Sequence, residues 1–173
     1  VVEIGVRILL ILGNLGLALT WLMAWSMGYW SEALGLPSPI QLHIALGSVS
    51  VLISLFGSTC ILFYFIGTSL WLRDRSRELV RRDREGGQKL WALYESANRL
   101  KAAPFPFATF GLLLGLFAYI LGGATQVGAL PGWIHPTLAT LLLLNNLLAM
   151  LFTFKGMKRN VAFLDQASRI LDI

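Results

Sequence analysis

The sequence predicts an all-α integral membrane protein: a four-transmembrane-helix bundle made of two hairpins, with N- and C-termini cytoplasmic. Three observations carry this expectation. Of 173 residues, 56% are hydrophobic and only 13% charged, against roughly 25% charge in a soluble domain. Four apolar runs are each long enough for a hydrocarbon core of ~30 Å, which takes about 20 helical residues. The charge is also segregated, because all 14 Lys and Arg fall on one side of those runs. No run alternates apolar and polar residues as a transmembrane strand would. The chain opens on Val1 rather than Met, so its start is not read for a signal peptide.

The first span is expected at residues 8–30, preceded by Arg7. The second, 40–72, is longer than a bilayer requires, so it tilts or projects into the aqueous phase. The third covers 107–123 and the fourth 134–154. Arg73, Arg75, Arg77, Arg81, Arg82, Arg84, Lys89, Arg99 and Lys101 lie between the second and third spans, and Lys155, Lys158, Arg159 and Arg169 follow the fourth. The opposite loops, 31–39 and 124–133, hold only Glu32. By the positive-inside rule the basic loop and both termini face the cytoplasm. The membrane is then a bacterial inner or intracytoplasmic membrane, or an organelle inner membrane.

The cytoplasmic loop 73–104 reads as helical. Asp74 with Arg77, Glu78 with Arg82, and Arg81 with Glu85 are spaced to face one another on a helix. Gly86-Gly87 is expected to break it. From Lys89 to Lys101, Leu90, Trp91, Leu93, Tyr94, Ala97 and Leu100 form an apolar stripe halted by Pro104 and Pro106. In the amphipathic tail 158–173, Val161, Leu164, Ala167 and Leu171 share a face, giving an interfacial helix or one packed beneath the bundle. The basic residues set topology and meet anionic lipid. No motif that reads nucleic acid accompanies them, so the expected partners are the bilayer and other membrane subunits, not nucleic acid.

Much chemistry is excluded. The single Cys60 rules out an internal disulfide, and no Cys pair exists for zinc or iron–sulfur ligation. There is no phosphate-binding Gly-rich loop, Ser-His-Asp set or carboxylate pair. Asn14, Asn145 and Asn146 stand inside spans and are expected to bond between helices. Trp21, Trp25, Tyr29, Trp30 and Trp133 read as an outer interfacial belt, which a quinone pocket could share, and Trp71 and Trp91 as its inner counterpart.

What remains is a pair. His43 and His135 are the only histidines, and an ionisable ring inside an apolar span is costly. Each follows a Leu-Pro turn, Leu36-Pro37-Ser38-Pro39 or Leu130-Pro131-Gly132, by four residues from the last proline or the only one. That spacing is about 6 Å of helical rise in each case. Both helices run from outside to inside, so the rings are expected at similar depth near the outer surface. Two such histidines facing across a four-helix interior form an axial pair for haem b. Gly47, Ser50 and Ser54, a small-residue stripe below His43, leave room for a flat macrocycle, or for a close neighbouring helix. The outer loops hold no Arg or Lys for haem propionates, which leaves Tyr29, Trp30, Ser31, Gln41, Thr125 and Gln126. A chlorophyll, needing one axial His, avoids that demand.

In span count, size and the placement of His43 and His135, the chain resembles the small four-helix cytochrome b and membrane-anchor subunits of respiratory complexes. The resemblance implies one haem on His43 and His135, and electron transfer between the quinone pool and a partner, as a subunit of a complex more than as an enzyme by itself. The alternative is a non-catalytic structural or assembly subunit of a larger membrane complex. It would bind no cofactor, or a chlorophyll on a single His.

Overall fold

A computed structural model describes residues 2–26 and 39–172. The expectations placed on Tyr29, Trp30, Ser31, Glu32, Pro37 and Ser38 lie outside these described residues. The described chain forms five helices and no strand: α1 (Val2–Trp25), α2 (Pro39–Val80), α3 (Arg84–Leu100), α4 (Pro104–Gln126) and α5 (Ile134–Leu171). Four apolar stretches, falling on α1, α2, α4 and α5, are long and apolar enough to cross a membrane.

Around the bundle the helices run α1, α2, α4, α5 and back to α1, so α2 and α5 stand on a diagonal and barely touch. The interior is layered. At one end Leu17, Val51, Leu114, Ala118 and Leu142 pack together. Deeper lies a polar layer. Asn145 Nδ2 donates to the Phe107 carbonyl of α4 at 2.9 Å, and Asn146 Nδ2 donates to Ser54 Oγ of α2. Asn14 Nδ2 donates to its own Leu10 carbonyl at 2.8 Å and faces Met150 Sδ of α5. The asparagines therefore tie α5 to α4, α2 and α1. Asn145→Ala is expected to cost about 1 kcal/mol, read as a lower thermal midpoint in detergent; an unchanged midpoint would mean that the bond adds nothing.

Below that layer Val6, Leu10, Ile61, Phe65, Ala108 and Met157 form a second apolar cluster. Some polar atoms at these depths have no protein partner: Arg7 Nε, Asn14 Oδ1, Tyr64 OH, Asn146 Oδ1, Thr153 Oγ1 and both amide atoms of Asn160. Left dry, each would cost about 1–3 kcal/mol.

Two helices outrun the bilayer. At 1.5 Å per residue, the 42 residues of α2 and the 38 of α5 reach about 60 Å each. The fourth span does not stop near 154 to be followed by a separate tail helix. It continues through the basic segment, because Gly156 lies against the Phe65 ring of α2 and the buried face runs on through Met157, Asn160 and Ala167. The second span likewise continues to Val80. Beyond the four-helix part, α2, α3 and the end of α5 form a three-helix platform around Leu72, Leu90, Ala97 and Ala167.

The break between α2 and α3 falls at residues 81–83, not at Gly86-Gly87. Asp83 caps α3 by accepting from the Glu85 amide at 3.1 Å. The glycines sit in the first helical turn, where they let α3 touch α2. A Cβ on Gly87 would lie 2.6 Å from the Val80 nitrogen, and the Gly87 carbonyl accepts from Ser76 Oγ at 2.9 Å. With the turn there, Arg81 and Glu85 no longer share a helix. Glu85 pairs with Lys89 at 2.6 Å, and Glu78 pairs with Arg75 and Arg82. Exposed pairs of this kind add little stability.

Pro104 is the first residue of α4, where its missing N–H costs nothing. Gly128, at φ 76°, closes the other end of α4. Its amide donates to the Thr125 carbonyl and the Ala129 amide to the Ala124 carbonyl, the paired bonds of a Schellman motif.

Candidate functional site

The fold brings the two histidines together. His43 is the fifth residue of α2. His135 is the second of α5, because residues 131–133 form a turn instead of helix. The expected four residues of helical rise before His135 are therefore absent. The rings nonetheless meet across the diagonal of the bundle, with centroids 6.3 Å apart and planes at 88°.

They share a cavity of about 700 Å3 at the end of the bundle away from the basic loop, walled by all four spanning helices. That volume lies within the range of small-molecule and cofactor sites. The wall is mainly apolar, from Leu17, Ile44, Val51, Ala118, Ala139 and Leu142, with Thr20, Ser48, Thr125 and Gln126 as polar members. Among the described residues no Lys, Arg, Asp or Glu lines it. Just inside the opening, Trp21 Nε1 donates to Thr140 Oγ1 at 2.9 Å and holds α1 to α5.

Each ring is positioned by an absence or a backbone. His135 occupies the space where Gly122 lacks a side chain, since a Cβ there would lie 2.6 Å from His135 Nδ1. The Thr20 backbone of α1 stands beside His43. Nδ1 of both rings is buried with no protein partner.

Of the residues singled out in the sequence, His43, His135 and Gly47 line the cavity; Ser50 and Ser54 do not. Ser50 Oγ donates to the Leu46 carbonyl at 2.7 Å and packs on Gly16 of α1, and Ser54 accepts from Asn146. Thr125 and Gln126 line the cavity, whereas Gln41 does not. Sequence reasoning missed Gly122 and Thr20. The Gly122-Gly123 doublet was the available signal, because two glycines weaken a helix interior unless something approaches closely.

The donor set limits what the pair can hold. Among the described residues no group of three His, Cys, Asp or Glu gathers anywhere, so the three or four protein ligands of a zinc site are not available. Two imidazoles alone suit a metal whose equatorial positions are filled by its own macrocycle. The structure thus offers two imidazoles, 6.3 Å apart between ring centres, and no third donor among the described residues.

No protein-family model matches the sequence, and comparison with curated proteins and with solved structures finds no match.

Proposed function

We propose that this chain is a b-type cytochrome-like membrane subunit that holds one haem between His43 and His135 and passes electrons between the quinone pool and a partner on the outer side. The basic end faces the cytoplasm in this reading, because every Lys and Arg lies there. The observation that carries it is the meeting of the chain's only two histidines, from diagonal helices, at 6.3 Å in one cavity.

A haem iron supplies reversible one-electron chemistry. The protein's part is to bind, orient and exclude. His43 and His135 would hold the iron, with Gly122 making room for the His135 ring and Gly47 for the Thr20 side chain. Ser48, Thr125 and Gln126 are polar lining residues that would meet the haem propionates. The apolar layer of Leu17, Val51 and Leu142 closes the cavity from below.

The absorption spectrum tests it. The purified protein is expected to show the reduced-minus-oxidised α-band of a b-type cytochrome, and His43→Ala or His135→Ala is expected to abolish it. A colourless preparation that retains its partner subunits would overturn the haem reading. It would favour a non-catalytic subunit, the reading that the uncharged cavity wall supports. A red-absorbing pigment extracted into organic solvent would point to chlorophyll.

A further inference from the structure

We propose that the bundle contains a gated proton path: a file of internal waters that enters at the basic end, follows α1, α2 and α5 to mid-bundle, and stops one apolar layer short of the histidine cavity.

The unpartnered interior atoms are not scattered. Asn146, Thr153 and Asn160 follow one another at seven-residue steps on α5, and Arg7 and Asn14 do so on α1. Seven residues are close to two turns, so each set stays on one inward stripe with steps of about 10 Å. Tyr64 of α2 brings its hydroxyl toward the Asn160 amide without a well-formed hydrogen bond. None of the unpartnered atoms comes from α4. Its contribution is space, because Gly111 leaves room beside Asn146 Oδ1, where a Cβ would lie 2.9 Å away.

Asn160 is 0% exposed, with neither amide atom bonded. Leaving the whole set unmet would consume stability on the scale of an entire domain. Internal water is the usual partner for such atoms, each molecule making about three hydrogen bonds. Glu3 and Arg7, ion-paired and only partly buried, stand at the basic mouth of the file.

The other vestibule is the histidine cavity. Leu142 lines it and lies one turn from Asn146 on the same helix. Leu17, Val51, Leu114 and Ala118 complete the layer. A thin apolar layer between the file and the cavity blocks passage by shedding water and conducts when wetted. Transfer along the file breaks one O–H bond and makes another at each step, so a proton enters at one end and an equivalent proton leaves at the other. No oxidant or cofactor is needed.

The test uses the full chain in liposomes, with proton entry followed by a pH-sensitive dye under a potassium gradient with valinomycin. The wild-type protein is expected to leak slowly, and Leu142→Ser, which wets the layer, to leak about tenfold faster. Adding Asn160→Leu or Thr153→Val to Leu142→Ser is expected to restore the slow rate. A tight Leu142→Ser protein overturns the path, as does a leak that survives Asn160→Leu and Thr153→Val or that also passes sodium. If Leu142→Ser does not fold, Val51→Ser opens the same layer from α2 and is read by the same criteria. The measurement needs no pigment, so it stands or falls separately from the haem reading.

Discussion

Gly122→Ala is expected to displace the His135 ring from the cavity while leaving the bundle folded. The added methyl would lie 2.6 Å from His135 Nδ1 and 2.7 Å from Cε1, far inside van der Waals contact, so the ring must turn away. The ring is a side chain on the first turn of α5 and can move; the helices need not. If His135 holds the proposed haem, its displacement is expected to weaken haem retention at least about tenfold, or ~1.4 kcal/mol, read as a diminished α-band at an unchanged melting temperature. Gly123→Ala is the control, since nothing lies within 4 Å of a Cβ there. If both variants keep the full spectrum, His135 does not sit where its role requires.

Gly87→Ala is expected to lift α3 from α2. Helix propensity favours the alanine by about 1 kcal/mol, so a stabilised protein is the naive outcome. The new methyl, however, would lie 2.6 Å from the Val80 nitrogen and 2.7 Å from its Cα. Backbone in a helix cannot swing aside, and overpacking costs about 1–3 kcal/mol or more. The net loss falls on the platform alone. Trypsin should cut after Arg81, Arg82 or Arg84 at least about tenfold faster, in line with a loss of over 1 kcal/mol when cleavage follows local opening, with the spanning part intact. Gly67→Ala, where nothing lies within 4 Å, should be neutral. Equal protease resistance in Gly87→Ala would mean that the two helices are not in contact at that point.

The long apolar runs made the four spans legible, and inverse charge placement made the two ends distinguishable. The asparagines were legible too, because an amide in an apolar interior has few options other than another helix. The glycines were not. Gly86-Gly87 looks like a helix break, and in isolation it would be one; against Val80 it becomes a packing surface, a fact held by residues on another helix. Gly16 and Ser50 pose the same problem. The small stripe on α2 suits a flat ligand or a helix, and only the glycine opposite decides that α1 fills it. His135 shows the limit of counting from a proline, because the turn at residues 131–133 uses up the rise that the spacing implied. The meeting of the rings survives that error, since it depends on the diagonal arrangement of α2 and α5 more than on register.

The helices that carry the histidines are also the only two that run the full height of the molecule. α1 and α4 end with the apolar part, whereas α2 and α5 go on to grip α3. Within the bundle α2 and α5 are joined by the Asn146–Ser54 bond and by Gly156 against Phe65, and beyond it by the ring pair above and the platform below. The two histidine-bearing helices are thus fixed to one another at several heights, so the cavity sits in a braced frame whose lower end is the platform.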